Sequence, residues 1–230
     1  MKRLFILLAV AFLANTALAQ EAKIMQVIKN DVVDFQIPVS SIDSIVFGSI
    51  SNSLDGVIIN GIRWATRNVD IPGTFADNPQ DAGMFYQWNR RVGWSSTNPI
   101  VNSNGGTTLD SSNPEGTEWY AENDPCPAGW RVPTREELQS LNSAGSIWIT
   151  HNGINGRLFG TVAPNQIFLP AAGHRFFTPD ALLNVGARGN YWSSTQIDGE
   201  FAQGLWFNSG SVDVSWYWRT NGLSVRCVAE

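Results

Sequence analysis

The chain is poor in charge, and poorest in positive charge. Charged residues make up 15% of the 230 residues, against about 25% in a typical soluble domain. Its 15 Lys and Arg residues face 20 Asp and Glu residues. Two of the basic residues belong to an N-terminal export signal, so the mature chain keeps 13 basic against 20 acidic residues and a net charge of about −7. Without a basic cluster, the chain is a poor binder of nucleic acid and of anionic membranes.

Histidine, cysteine and short catalytic motifs are equally scarce. The only imidazoles are His151 and His174, and the only thiols are Cys126 and Cys227. These four residues lie in different segments and make a poor zinc set. The sequence has no Gly-x-Ser-x-Gly, no phosphate-binding loop and no His-Glu-x-x-His. We therefore predict no catalytic residue, no metal and no cofactor.

Long apolar runs are also missing, apart from one at the N-terminus. Residues 4–13 are apolar, follow Lys2 and Arg3, and precede an Ala-Leu-Ala cleavage site at 17–19. This pattern predicts a signal peptide over residues 1–19, because the run is too short to cross about 30 Å of hydrocarbon comfortably. No cysteine precedes Cys126, which argues against an N-terminal lipoprotein. We expect a periplasmic, secreted or cell-surface protein with no membrane span.

The pattern of strands and turns predicts a small unit followed by a large domain. Residues 24–28 and 32–37 are strand-like and flank a turn, so 20–48 reads as a small β-hairpin unit, with a third short strand at 45–47. Residues 49–54 have the composition of a linker. Residues 55–230 then form one large domain, rich in glycine and aromatic side chains.

Within the large domain, two local signals are strong. Asn60-Gly61 between two strand-like runs predicts a hairpin with a type I′ turn. Thr134, with Glu137 three residues later, predicts a capping box that opens a helix over 134–143. The region 95–118 is polar and predicts a long surface loop. Further strands are predicted at 166–169, 189–193, 202–208, 211–216 and 223–228.

Two cysteines in an exported chain favour a disulfide between Cys126 and Cys227. Free thiols or a metal pair are the alternatives. A bridge would join the helix entry to the end of the chain and close a loop of about 100 residues.

Six blocks, in one order along the chain, carry a family resemblance. They are 62–68 (IRWATRN), 83–88 (GMFYQW), 126–134 (CPAGWRVPT), 168–175 (FLPAAGHR), 191–195 (YWSST) and 225–228 (VRCV). The chain thereby resembles the Fibrobacter succinogenes major paralogous domain family, common in exported proteins of Bacteroides-type bacteria. The resemblance implies an α+β, C-type-lectin-like domain of antiparallel strands, one or two helices and long loops. The motif residues expected to be structural are Trp64, Trp130, Arg131, Thr134, Glu137, Trp192 and Arg226.

Arg131 and Arg226 each lie beside a cysteine. An arginine near a core usually forms a bidentate pair with a carboxylate. We expect this structural role for both residues, with Glu136 or Glu137 as a partner.

The resemblance raises two kinds of chemistry, and the residues support neither. The calcium site of C-type lectins uses Glu-Pro-Asn or Gln-Pro-Asp together with Trp-Asn-Asp. This chain has neither motif and only partial matches at 123–125 and 178–180. Formylglycine-generating enzymes, which have a related core, use a reactive cysteine pair, and here the predicted bridge occupies both sulfurs.

Calcium-independent recognition of a glycan or a cell-surface protein remains. The candidate ligand-binding residues are Trp88, Trp94, Trp216 and Trp218, and the last two should share one face of a strand. We predict a non-enzymatic exported binding or surface-assembly module with an unknown ligand. The alternatives are a relative of the formylglycine-type oxidoreductases and a structural component of a surface fibre.

Overall fold

The computed structural model describes residues 24–29, 32–38, 56–177 and 181–230. The chain divides into two compact units, Met1–Ser51 and Asn52–Glu230. The predicted signal peptide, the strand at 45–47 and the linker 49–54 lie outside the described residues. The described part of the first unit is a hairpin of β1 (Ile24–Lys29) and β2 (Val32–Pro38), with a register shift after Val27.

The regular secondary structure of the second unit is almost entirely strand, so the α+β, C-type-lectin-like assignment is wrong. Strands hold 38% and helical residues 7% of the described chain, with one α-helix. The strands are β3 (Gly56–Ile59), β4 (Ile62–Ala65), β5 (Phe85–Tyr86), β6 (Gly93–Trp94), β7 (Trp130–Arg131), β8 (Ser146–His151), β9 (Ile154–Phe159), β10 (Ile167–Pro170), β11 (His174–Arg175), β12 (Leu182–Leu183), β13 (Gly189–Gln196), β14 (Phe201–Phe207), β15 (Val212–Trp218) and β16 (Val228–Ala229).

These strands form several small antiparallel sheets. The three largest have the orders β3-β4-β16-β7, β10-β9-β8 and β13-β14-β15. The first sheet closes the unit, because Val228 of the last strand pairs with both Trp64 and Arg131. The end of the chain thus lies between the opening hairpin and the segment after Cys126.

Two Asn-Gly turns explain much of the strand content. Asn60 and Gly61 have φ values of 51° and 81°, as the predicted hairpin of β3 and β4 requires. Asn152 and Gly153 have φ values of 47° and 83° and join β8 to β9 in the same way. The Asn152-Gly153 pair is equally visible in the sequence, but we predicted no hairpin there.

The helix α1 (Arg135–Ser143) begins one residue after the start of the predicted range and has the predicted N-cap, Thr134. Thr134 accepts a hydrogen bond from the Glu137 backbone N–H, and the Glu137 carboxylate accepts one from the Thr134 N–H. Leu138 and Leu141 are fully buried. They lie in one apolar cluster with Leu205 and Phe207 of β14, so the helix covers part of the β13-β14-β15 sheet.

The segment 95–118 is less loosely held than the sequence predicts. Leu109 is only 4% exposed and packs with Phe85 and Trp94. Arg90 forms an ion pair with Asp110 and donates a hydrogen bond to the Ser112 carbonyl. The loop is therefore anchored at its centre to the body of the domain.

Candidate functional site

Cys126 and Cys227 form a disulfide with a sulfur–sulfur distance of 2.03 Å. Cys227 is fully buried and Cys126 nearly so, in a cluster with Trp88, Trp192 and Val225. The described chain has no free cysteine. Both sulfurs therefore serve as a structural link within the second unit.

Arg131 pairs with Glu137, one of the two carboxylates expected. Its two terminal nitrogens donate to the two carboxylate oxygens at 2.8 and 2.7 Å. Burial would raise the pKa of Glu137, but the hydrogen bonds from Arg131 and from the Thr134 N–H outweigh burial and hold that pKa below its usual value. The pair fixes β7 to the first turn of α1.

The carboxylate partner expected for Arg226 is absent among the described residues, so that prediction is wrong. Arg226 is fully buried. Its guanidinium donates twice to the Asn68 side-chain oxygen, at 2.9 and 2.7 Å, and also to the carbonyls of Ala65 and Phe168. Burial lowers its pKa to about 10, so the group stays charged at neutral pH. Neutral oxygens of three residues, from two segments of the chain, replace the expected ion pair.

The remaining motif residues also serve the core. Trp64 and Trp192 are fully buried, and the Trp192 indole N–H donates to the Tyr86 carbonyl at 2.6 Å. Trp130 is half-buried and packs edge-on against Phe75, with ring centroids 5.6 Å apart.

Trp88 and Trp94 lie in the core, so their assignment as ligand-binding residues is wrong. Trp88 is fully buried, and Trp94 is 3% exposed. The Trp88 indole N–H donates to the Ser193 carbonyl at 3.0 Å, and the Arg219 guanidinium lies 3.9 Å above its ring. Residues from other segments, Ser193 and Arg219 at Trp88 and Leu109 at Trp94, cover the two rings.

Trp216 is the one predicted binding residue with a largely exposed ring, at 58%. Trp216 and Trp218 both pack against Phe201 of the neighbouring strand, at centroid distances of 5.0 and 4.2 Å. Phe177 adds a fourth ring, 6.4 Å from Trp218. We call Phe177, Phe201, Trp216 and Trp218 the aromatic face.

The register of β14 and β15 places this face on one side of the sheet. Trp218 lies opposite Phe201, and Trp216 lies opposite Gln203. Further along the same side, Val214 and Val212 lie opposite Leu205 and Phe207, and these four pack in the cluster that contains the buried leucines of α1. One end of this side is thus covered, and the aromatic face is the other end.

Tyr217 points to the opposite side of the sheet, as the sequence predicts. Its hydroxyl donates to the Asn190 side-chain oxygen at 2.9 Å, and its ring packs edge-on against Trp192. Burial raises the pKa of the Tyr217 phenol well above its usual value. Because neighbouring residues of β15 point to opposite sides of the sheet, Tyr217 fixes the end of the strand that presents Trp216 and Trp218.

Among the described residues, His151, His174 and Asp124 lie in separate surroundings. His151 packs beside Phe168, with centroids 5.2 Å apart, while His174 is half-buried near Asn190, and burial lowers its pKa. Asp124 accepts backbone hydrogen bonds from Cys126 and Val132, and burial raises its pKa. Among residues 24–29, 32–38, 56–177 and 181–230, no group of three His, Cys, Asp or Glu side chains is placed to hold a metal ion.

Among the described residues, four open clefts lie away from the aromatic face, and two of them bear on the search for a site. A cleft of about 890 Å³ under the 95–118 segment is lined by polar groups that mostly hold that loop, such as Arg90, Asn89 and Gln87. A second cleft, of about 500 Å³, is lined by three aspartates and by small residues. In the part of the chain that the structure describes, no helix has the length and apolar character to span a bilayer.

Comparison with protein families found one similarity. The profile of a domain of unknown function, DUF8237, matches residues 144–228. The matched segment runs from the end of α1 to the first residue of β16 and includes all four residues of the aromatic face. Comparison with curated proteins and with solved structures found no match.

Proposed function

We propose that the protein is an exported, non-enzymatic binding module that recognises glycans through the aromatic face, without calcium. The observation that carries the proposal is the exposed indole of Trp216, held against Phe201 at the uncovered end of a sheet. A flat aromatic ring offers an apolar surface on which the C–H face of a sugar ring stacks, and this contact needs no metal.

The aromatic face is rigid enough to act as a preformed platform. Phe201 packs between Trp216 and Trp218, so each indole has a neighbour that restrains its rotation. The strand itself is fixed from the other side by Tyr217. A ligand that stacks on Trp216 therefore costs little side-chain entropy, which favours binding.

The size and polarity of this surface favour a small ring over a folded partner. Only Trp216 is largely exposed, while Phe177, Phe201 and Trp218 are partly buried. A stable protein interface buries about 800 Å² on each partner, which is more than these rings offer. Gln203, opposite Trp216, adds an amide that can hydrogen-bond a sugar hydroxyl beside the stacked ring.

The disulfide weighs against the oxidoreductase alternative. Formylglycine chemistry needs a reactive thiol pair, and the bridge occupies both cysteines of the chain. A bridge also fits an oxidising compartment, in agreement with the predicted export signal. Kinship with the Fibrobacter succinogenes major paralogous domain family is part of the proposal and rests on the six sequence blocks.

The test is a glycan array probed with the protein and two single-tryptophan variants. Trp216→Ala removes the exposed ring. Trp206→Ala is the matched control, because Trp206 lies on the same sheet but its side chain points to the opposite side, opposite Asp213. We expect the wild type and Trp206→Ala to bind the same glycans and Trp216→Ala to lose at least about tenfold in affinity.

Thermal unfolding of both variants checks that neither change acts through stability. Equal glycan binding by wild type and Trp216→Ala would refute the assignment of the site. Binding of no glycan, together with Trp216-dependent capture of a surface protein, would replace glycan recognition with surface assembly.

A further inference from the structure

The floor of the 890 Å³ cleft is made of buried side chains. Gln87, Asn89 and Trp94 line it with only 1%, 4% and 3% of their surfaces exposed. All three belong to β6 or to the connection between β5 and β6. None of the four residues of the aromatic face lines this cleft. It is therefore a separate candidate site with a buried polar floor.

Asn89 holds two walls of the cleft. Its side-chain nitrogen donates to the Glu115 carbonyl at 2.8 Å, and its side-chain oxygen accepts from the Tyr120 backbone N–H at 2.8 Å. Gln87 also holds the first wall, because it donates to the Asp110 carbonyl at 2.6 Å. Since the nitrogen and oxygen of one amide point in different directions, the segments 110–115 and 120–123 flank the floor on different sides. The volume between them lies in the range of about 300–1,000 Å³ that is typical of ligand pockets.

One polar atom of the floor has no partner. The Gln87 side-chain nitrogen uses both of its hydrogens on the carbonyls of Asp110 and Thr220, at 2.6 and 2.7 Å, which fixes the orientation of the amide. The Gln87 oxygen accepts no hydrogen bond from the residues that the structure describes. It is not one of the unpartnered atoms that are sealed from solvent, so it faces the cleft that Gln87 lines. A buried acceptor without a donor is unfavourable, and a donor that enters the cleft relieves this cost.

The rim adds groups that both donate and accept. Asn113 and Tyr120 line the cleft with exposed side chains. Within the described part of the chain, neither the Asn113 amide nor the Tyr120 hydroxyl has a hydrogen-bond partner. The Tyr120 ring, 37% exposed, also offers an apolar surface. The cleft thus combines a fixed acceptor at its floor with adaptable polar groups at its rim.

The charges that line the cleft balance. Arg90 and Arg91 stand against Asp110 and Glu115, and the other lining residues are uncharged. Arg90 and Asp110 are paired with each other. No excess of one sign attracts an ion, so the lining favours a neutral ligand.

We propose that this cleft binds one neutral, hydroxyl-rich ring of the size of a single sugar residue. A ring hydroxyl donates to the Gln87 oxygen, and neighbouring hydroxyls bind the Asn113 amide and the Tyr120 hydroxyl. Such a ligand fits because each hydroxyl both donates and accepts, as the rim groups do. The aromatic face shares no residue with the cleft, so this site does not depend on glycan recognition at that face.

The test is an NMR titration of the ¹⁵N-labelled protein with the methyl glycosides of mannose, glucose and galactose. The signals followed are those of the Gln87 side-chain amide and of the Trp216 indole. We expect at least one glycoside to shift the Gln87 signal and to saturate with a Kd of about 1 mM. The methyl glycosides of glucuronic acid and glucosamine, which carry a negative and a positive charge, should bind more weakly than that neutral glycoside.

A rim variant tests the same site without disturbing its floor. Asn113→Ala combined with Tyr120→Phe removes two rim groups and keeps the ring, so binding should fall about tenfold. Asn165→Ala, which changes an exposed asparagine outside the cleft, should leave binding unchanged. Thermal unfolding checks that both variants are folded.

Three outcomes would overturn the proposal. They are no saturation with any neutral glycoside, equal binding by wild type and the rim variant, and tighter binding of a charged glycoside. A shift of the Trp216 signal with none at Gln87 would also reject the cleft, and would support the aromatic face alone. A shift at Gln87 with none at Trp216 would support the cleft and count against the aromatic face.

Discussion

Trp88 and Trp216 are the same residue type and were both predicted to bind a ligand, but Trp88 is buried and Trp216 is exposed. Trp88 is enclosed by Ser193, Arg219 and Trp119, which come from distant segments. Trp216 is restrained by Phe201 but not covered. Sequence could predict that Trp216 and Trp218 share a face, because alternation is local. It could not predict which tryptophans are buried, because burial depends on contacts between distant segments.

Trp88→Ala should destabilise the domain by about 3–5 kcal/mol, since it empties a buried site and leaves Arg219 without the ring beneath it. Urea unfolding with the disulfide intact measures the loss. Trp216→Ala, at an exposed ring, should cost less than about 1 kcal/mol by the same measurement. Equal losses for the two variants would mean that the burial described here is wrong.

Arg226→Met should cost about 2–5 kcal/mol, because Asn68 and the Phe168 carbonyl would lose buried hydrogen-bond donors that no water can replace. The exposed Arg188 is the control. It contacts Trp206 through a ring interaction at 5.8 Å, and Arg188→Met should change the free energy of unfolding by less than about 1 kcal/mol. A loss at Arg226 no larger than at Arg188 would contradict the network.

At the scale of elements, the sequence predicted correctly those turns and caps that are defined by a few neighbouring residues. The Asn60-Gly61 hairpin and the Thr134–Glu137 capping box are each defined by residues within four positions, and both form as predicted. The β8–β9 hairpin has the same Asn-Gly signal, but the prediction overlooked it, and the short strands β11 and β12 have little local pattern. The omitted strands account for part of the error in fold class.

The capping box gives a direct test of α1. Thr134→Ala removes the side-chain oxygen that accepts the Glu137 N–H, so the domain should lose about 1 kcal/mol of stability. The exposed Thr107 makes no such contact, and Thr107→Ala should fall within about 0.5 kcal/mol of wild type. Chemical unfolding curves of the two variants measure the difference. A Thr134→Ala curve that overlays the control would show that the cap contributes nothing.

The pH dependence of α1 follows from the lowered pKa of Glu137. A carboxylate whose folded pKa is depressed stabilises the fold above its unfolded pKa of about 4.3, and this contribution is lost as pH falls through the folded pKa. Glu137→Gln keeps a side chain suited to the capping box but removes the charge. The stability gap between wild type and Glu137→Gln should therefore be constant at neutral pH and shrink below about pH 4.3. A gap that widens on acidification would reverse the sign and refute the ion pair.

At the scale of the whole molecule, the disulfide and β16 tie the end of the chain to its middle. The bridge joins residues 101 positions apart, which corresponds to about 4–5 kcal/mol of stability in the chain-entropy model. The variant with both Cys126→Ala and Cys227→Ala should lose about that amount in urea unfolding. Reduced wild type should lose a similar amount, and a thiol titration of native protein should find no reactive thiol. A thiol that reacts without denaturant would reopen the oxidoreductase alternative.

The class of the fold was the least predictable property. The family resemblance implied mixed α+β structure, and the one helix with a clear signal encouraged that view. Whether the rest forms a few large sheets or several small ones depends on long-range pairings such as Val228 with Trp64 and Arg131. No local pattern encodes such pairings. The 500 Å³ cleft was missed for the same reason, since its lining residues come from distant segments that meet only in the folded chain.

The alternation along β15 has an evolutionary consequence. Tyr217 packs in the core, while Trp216 and Trp218 belong to the proposed recognition surface. If that proposal holds, selection for folding and selection for recognition act on different residues of one strand. Under the same proposal, substitutions at 203, 216 and 218 change ligand preference without disturbing the packing on the other side of the sheet. Relatives of this chain should therefore diverge at these positions while they retain Tyr217, and a single scaffold could supply many binding specificities.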